Sequence, residues 1–204
     1  MIGLVEYRLK TPVDEATVRR LRIGDKLYLS GEVVTARDQA HRRALEYVAS
    51  KKELPVNFRG GAVFHCGPIA KRIDDHWIIV AAGPTTSSRM ETFEADFIQK
   101  TGARIIIGKG GMGAKTATAM KEFGAVYCDF TGGAAVLAAK AFVRVKGVEW
   151  YDLGMPEALW ILEADNFGPL IVATDSLGQN LHEAIDREVE QNKKQIYARL
   201  GIQA

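Results

Sequence analysis

The segment that most restricts the fold is RIIIGKGGMGAKTATAMKEFGAVYCDF, from Arg104 to Phe130. Arg104–Ile107 has the composition of a buried strand, Met112–Phe123 that of a helix and Ala125–Cys128 that of a second strand, with four glycines between Gly108 and Gly113. Apolar run, glycine-rich turn, helix and apolar run in such quick succession predict alternating α and β structure in the middle of the chain. Upstream, Val5–Leu9 reads as a strand, and Thr11 and Pro12 offer an N-cap and a first-turn proline to a helix over Val13–Leu21. Asp25–Val34 alternates as a strand does, and Asp38–Ser50 places Ala40, Ala44, Leu45 and Val48 on one helical face. Ala62–Cys66 and Trp77–Ala82 predict paired strands across a charged turn. Met90–Gln99 and Gly133–Lys140 are helical in pattern, and Ala158–Glu163 and Leu170–Ala173 are further strands. From about 182 a polar, charge-rich helical tail runs to Leu200. The β-rich start and alternating middle predict one α/β, or mixed three-layer, domain over residues 1–204.

The glycine segment satisfies G-x-G-x-x-G, and the strand after its helix ends in Asp129, near the offset of a ribose-binding acid. Dinucleotide binding is therefore one reading. Lys109 between the first two glycines, and preceding strands unlike the start of a Rossmann domain, count against it. As a phosphate cradle of the P-loop type, GKGGMGAKT has its lysine misplaced, because Ala114 separates Gly113 from Lys115. What survives is simpler: a glycine turn at a helix N-terminus exposes backbone N–H groups to an anion, and Lys109 adds a positive charge.

Two other strand ends share this character. Gly83-Pro84-Thr85-Thr86-Ser87-Ser88-Arg89-Met90 closes an apolar strand with four hydroxyl residues, more than helix capping needs, and then an arginine. Ser30-Gly31-Glu32-Val33-Val34-Thr35-Ala36-Arg37-Asp38 puts Arg37 before a possible Asp38 cap. Arg37, Arg89 and Lys109 thus lie at strand-to-helix junctions, where α/β proteins build ligand sites, and two guanidinium groups with an ammonium suit a small dicarboxylate. His41 and His65 lack metal-ligand spacing and read as packing or hydrogen-bonding residues.

The formal net charge of +2, without a block of like charge, makes nucleic acid a poor partner. The N-terminus meets charge too early for a signal peptide, and no apolar run approaches the roughly 18 residues of a membrane span, so a cytoplasmic protein is expected. Cys66 and Cys128 form neither a disulfide framework nor a zinc knuckle. Two thiols also fall short of the roughly three or four that a cysteine-ligated iron–sulfur cluster takes, so this chain cannot hold one unaided.

The segments SGEVVTARDQAH, FHCGPI, AAGPTTSSRM, IIIGKGGMG and DLGMPEALWILE, in this order, resemble the β subunit, or C-terminal domain, of class I fumarases and the related L-tartrate dehydratases. The resemblance runs from about Gly24 to about Asp175. It implies a swivelling β/β/α three-layer domain and a hydro-lyase that reversibly hydrates fumarate to (S)-malate. It also implies a separate α subunit carrying a [4Fe–4S] cluster, so that this chain is active only in a hetero-oligomer, α2β2. By the same resemblance Thr85 is the catalytic base, Arg37, Arg89 and Lys109 bind the substrate carboxylates, and Thr86 adjoins them. The motifs do not separate fumarate from tartrate. A dinucleotide-binding oxidoreductase domain and a non-catalytic carboxylate-binding module are the alternatives from other classes.

Overall fold

The computed structural model describes residues 5–201. Its elements are β1 (Glu6–Lys10), α1 (Glu15–Val18), β2 (Lys26–Thr35), α2 (Asp38–Ala49), β3 (Ala62–Phe64), β4 (Ile69–Ile73), β5 (His76–Ala81), α3 (Glu91–Thr101) and β6 (Ile105–Gly108). There follow α4 (Ala114–Phe123), β7 (Val126–Asp129), α5 (Ala135–Ala141), β8 (Phe142–Glu149), β9 (Leu159–Thr174) and α6 (Leu181–Leu200). The mixed α/β character matches the expectation.

Strands β2, β3, β6 and β7 pair parallel in that order. The long β9 then runs antiparallel to both β7 and β2, which closes the five strands into a barrel. β1 pairs parallel with the first half of β2, and β8 pairs antiparallel with the first half of β9. Because side chains alternate along a strand, the barrel sorts its residues between two cores. Phe64, Ile105, Ile107, Val126 and Cys128 join Leu27, Leu29, Trp160, Leu162 and Phe167 in one cluster. Val63, Ile106 and Tyr127 face the other way and pack with Ala40 and Ala44 of α2, Phe97 and Ile98 of α3, and Met120 of α4. Burial on both faces explains why β6 is apolar without a break.

Several sequence expectations need correcting. Trp77–Ala82 does not pair with Ala62–Cys66: β5 forms a hairpin with β4, in the register Ile73↔His76, while β3 joins the barrel. Lys71 and Arg72 gave β4 the look of a turn, but both are exposed on a strand with only Ala70 buried. The stretch Phe142–Glu149 is an edge strand whose arginine and lysine face outward. Ala158–Glu163 and Leu170–Ala173 belong to the single strand β9, which stays continuous through Asn166 at φ 53° and the bulged register around it. The first helix is capped by Asp14, which accepts the Thr17 N–H at 2.7 Å, whereas the Thr11 hydroxyl donates to the Glu32 carbonyl at 2.7 Å. No described helix is long and apolar enough to cross a membrane.

Candidate active site

Parallel strands end together, so Arg37 after β2, His65 and Cys66 after β3, Lys109 after β6 and Phe130 after β7 all emerge at one end of the barrel. Beyond the last β3–β6 bond, His65 N–H to the Ile107 carbonyl at 2.7 Å, the segment following β5 wedges between the two strands. Pro84 bridges Cys66 on one side and Thr86 bridges Lys109 on the other. The Thr85 N–H donates to the His65 carbonyl at 2.6 Å, and the Ser87 N–H to the Lys109 carbonyl at 2.9 Å. Thr85, Thr86 and Lys109 are therefore brought side by side through backbone pairing. Gly108 permits this approach, since a Cβ there would collide with Ser87 Oγ.

The two arginines reach the same region and each meets an acid. Arg37 occupies the N-cap position of α2, and its guanidinium pairs with Glu157 at 3.2 Å. Its Nε is buried without a hydrogen-bond partner, and a Cβ on Gly67 would collide with its Nη1. Arg89, half-exposed on a 3-10 turn over Ser87–Met90, donates to Asp38 Oδ2 at 2.6 Å. Asp38, read as a possible cap, is instead the first residue of α2 and the ion-pair partner of Arg89. The segments that carry Arg37 and Arg89 are thus joined through consecutive residues.

Beneath the Thr85 segment lies a polar cluster closed to solvent. His65 Nε2 lies 2.9 Å and His41 Nε2 3.2 Å from the same carboxylate oxygen of Glu94, and all three side chains are fully buried. His41 Nδ1 faces the Arg37 carbonyl at 2.9 Å, which can only accept, so with a carboxylate on its other nitrogen His41 is an imidazolium. Its contact to Glu94 is an ion pair lacking hydrogen-bond alignment. Burial disfavours that charge, but attraction to Glu94 and the bond to the Arg37 carbonyl outweigh it and raise the His41 pKa. For His65 burial prevails over the pull of Glu94 and the pKa is lowered; its Nε2–H donates to Glu94 and its Nδ1 accepts from the Ser87 hydroxyl at 2.9 Å. Burial alone would raise the Glu94 pKa, yet the two histidines hold it down to about 2. The three groups are close enough to share a metal ion, their ligand atoms lying within 4.8 Å of one another. Both rings direct Nε2 at one carboxylate oxygen, and each has its own Nδ1 partner. His41 and His65 make hydrogen bonds, one of the two roles read from the sequence, whereas their spacing gave no sign that they meet each other at Glu94. The chain of contacts continues from Ser87 Oγ to Tyr127 OH at 3.1 Å, on to Asp129 Oδ1 at 3.0 Å, and from Asp129 Oδ2 to His182 Nε2 at 2.6 Å.

The glycine turn does form and α4 does begin behind it, but its N-terminus is already filled. The Glu91 carboxylate accepts from Gly113 N at 2.7 Å, Thr116 N at 3.2 Å and Thr116 Oγ1 at 2.8 Å. Two of the backbone donors expected to receive an external anion, those of Gly113 and Thr116, are thus used by the chain itself, and an anion at that point would have to displace Glu91. Asp129, the candidate ribose acid, is likewise engaged by Tyr127 and His182. Lys109 remains exposed, the part of the turn still available to a ligand. Glu91, Glu94 and Tyr127 went unnoticed in the sequence, and Ser87 was read only as part of the hydroxyl run; the available signal was Glu94 sharing a helical face with Ala95 and Ile98.

Cys66 and Cys128 are buried, and burial pushes both thiols up, in Cys66 against the influence of Arg37. Two buried, protonated thiols do not fit an iron–sulfur cluster. A cavity of about 360 Å³ lined by Lys10, Thr11, Glu32, Phe58, Lys146 and Glu163 lies elsewhere and contains none of the candidate residues.

Cationic side chains and a hydroxyl-rich segment gathered at the carboxyl ends of a barrel's parallel strands define the class as an α/β barrel domain. Comparison with known proteins makes the class particular. The family model described as "Fumarase C-terminus" matches residues 3–185, and the chain belongs to this family. It is 44% identical over 186 residues to the L(+)-tartrate dehydratase subunit beta of Escherichia coli K12, covering 91% of this chain and 88% of that one. Identity to the putative L(+)-tartrate dehydratase subunit beta of Methanocaldococcus jannaschii is 44%, over 84% of this chain and 89% of the relative. A putative fumarate hydratase class I of Geobacillus stearothermophilus is 39% identical over 88% of this chain, which corresponds to 34% of its length.

Proposed function

We propose that this chain is the β-type half of a two-chain hydro-lyase acting on a four-carbon dicarboxylate, built as the family's swivelling β/β/α domain and active with an α-type subunit in an α2β2 assembly. The carrying observation is the seating of Thr85 and Thr86 between the ends of β3 and β6, with Lys109 paired beside them and the segments of Arg37 and Arg89 joined through Asp38. The [4Fe–4S] cluster of such an enzyme belongs to the α-type subunit, because the cysteines here do not fit it.

Thr85 is the base in this reading: its hydroxyl oxygen takes the proton from the carbon beside a substrate carboxylate. Threonine is a poor base in water, so the step needs exclusion of water and nearby cations to stabilise the alkoxide. Arg37, Arg89 and Lys109 bind the carboxylates and stabilise the charge that builds on the one next to the reacting carbon. In the free chain Glu157 and Asp38 occupy the two guanidinium groups, and substrate binding exchanges those carboxylates for its own. Thr86, exposed next to Lys109, contacts the substrate beside the base.

Fumarate and malate are the substrates of this reading, chosen as the commoner activity within the family the sequence resembles. L-tartrate is the second reading, favoured by the two 44% relatives named as tartrate dehydratase subunits. The test is anaerobic: this chain, an α-type subunit, and the two mixed are each assayed with malate and with L-tartrate. Activity is expected only in the mixture, on one of the two acids. Turnover by this chain alone, or none by the assembled pair on either acid, would refute the proposal.

A further inference from the structure

The helix α6 continues well past residue 185, where the family match stops, and carries an apolar stripe that nothing among the described residues covers. Ile185, Val189, Ile196 and Leu200 are between 48% and 65% exposed. At about 100° per residue these four share one narrow face of the helix. Single exposed apolar residues are ordinary, but a stripe over four turns is the mark of a helix that packs on another.

We propose that this stripe pairs antiparallel with the same helix of a second copy of the chain. The register argues for it. Ile185 and Leu200 are equidistant from the point between Asn192 and Lys193, and so are Val189 and Ile196. A two-fold axis at that point sets Ile185 against Leu200, and Val189 against Ile196, of the second copy. Isologous pairing of this kind is the commonest symmetry of protein dimers.

The charges agree with the same axis. The first half of α6 is mainly acidic, with Glu183, Asp186, Glu188 and Glu190, and the second half is basic, with Lys193, Lys194 and Arg199. Parallel pairing would set acid against acid; antiparallel pairing sets each half against its opposite and opposes the two helix dipoles. Glu190 and Lys193 flank the stripe on one side, and Glu188 and Arg199 on the other. Across the axis each flank meets the same flank of the second copy, so Glu190 faces Lys193 and Glu188 faces Arg199. The Glu190–Lys193 contact within one helix, at 3.4 Å and exposed, can be exchanged or shared across the pair.

One stripe of four apolar side chains per copy is at the small end of specific interfaces, so association in the micromolar range is expected. The experiment is sedimentation velocity of the purified chain from about 1 to about 300 µM, a range chosen to bracket that affinity. The chain should shift from monomer to dimer. Val189→Glu with Ile196→Glu should leave it monomeric with an unchanged thermal transition of the barrel. Glu188→Arg alone should weaken association by roughly three- to tenfold, as expected for two exposed pairs, and adding Arg199→Glu should restore it. A monomer throughout the range, a dimer indifferent to the stripe variant, or a charge exchange that restores nothing would overturn the proposal. So would a stripe variant that loses an α-type subunit while keeping self-association. None of these outcomes bears on the hydro-lyase reading, which is judged by turnover.

Discussion

Thr85 and Glu94 show how differently two residues of one site are constrained. Thr85 is held through its backbone, by the bond to His65, so Thr85→Ala should leave the loop in place. In the assembled enzyme that variant is expected to lose turnover by several orders of magnitude with little change in KM, whereas Arg89→Lys, which cannot offer a bidentate fork, should raise KM as well. Steady-state kinetics of the two variants checks the division of roles; near-normal turnover of Thr85→Ala would remove it as the base. Glu94 acts through charge. Its carboxyl, ordinarily at 4.5, is held at about 2, so the unfolded chain takes up protons that the folded chain refuses. Its contribution to stability is fully present above 4.5 and is lost as pH falls toward 2. His65, lowered by burial, adds to this loss below its ordinary 6.5; His41, raised, acts oppositely, and its share is lost as pH rises through its folded value. The midpoint of urea unfolding should therefore drop steeply on acidification, and more shallowly in Glu94→Gln. Parallel slopes would mean that the buried carboxylate is not charged.

At the scale of elements, the β6–α4–β7 unit was legible because its pattern is local: apolar strand, glycines, helix, strand. Its ligand was not, because Glu91 reaches the α4 N-terminus from another helix, 22 residues upstream of Gly113. Glu91→Ala should strip three hydrogen bonds from that N-terminus and destabilise the fold by about 1–2 kcal/mol, the cost of losing a charged cap. Hydrogen exchange should rise at the first turn of α4 and in the glycine turn; unchanged protection there would contradict the capping role. The strands β4 and β8 were missed for the opposite reason. Each is an exposed strand whose outward lysines and arginines mask the alternation by which strands are recognised.

Over the whole molecule, closure of the barrel by β9 is what gathers the site, and an aromatic cluster marks where closure is consolidated. Phe167 of β9 lies 5.2 Å from Phe64, 5.1 Å from Phe130 and 4.9 Å from Phe142 between ring centroids, joining β9 to the ends of β3, β7 and α5. Phe167→Ala should cost about 3–5 kcal/mol in a single cooperative unfolding transition, measured by denaturant titration. A loss below about 1 kcal/mol would show that the cluster is not a closure point. By itself the sequence determined the α/β class, most helices, the strand-to-helix junctions at Arg37, Arg89 and Lys109, and the family, because periodicity, glycine turns and ordered motifs are written over short stretches of chain. Only the tertiary structure decided that four parallel strands and one long antiparallel strand close a barrel. It alone decided that Thr85 and Thr86 slot between β3 and β6, and that Glu91 and Glu94 turn inward to the glycine turn and the histidines. Those outcomes depend on which distant segments share an edge or a buried charge, and the free energy of such pairing is settled only when the whole chain packs.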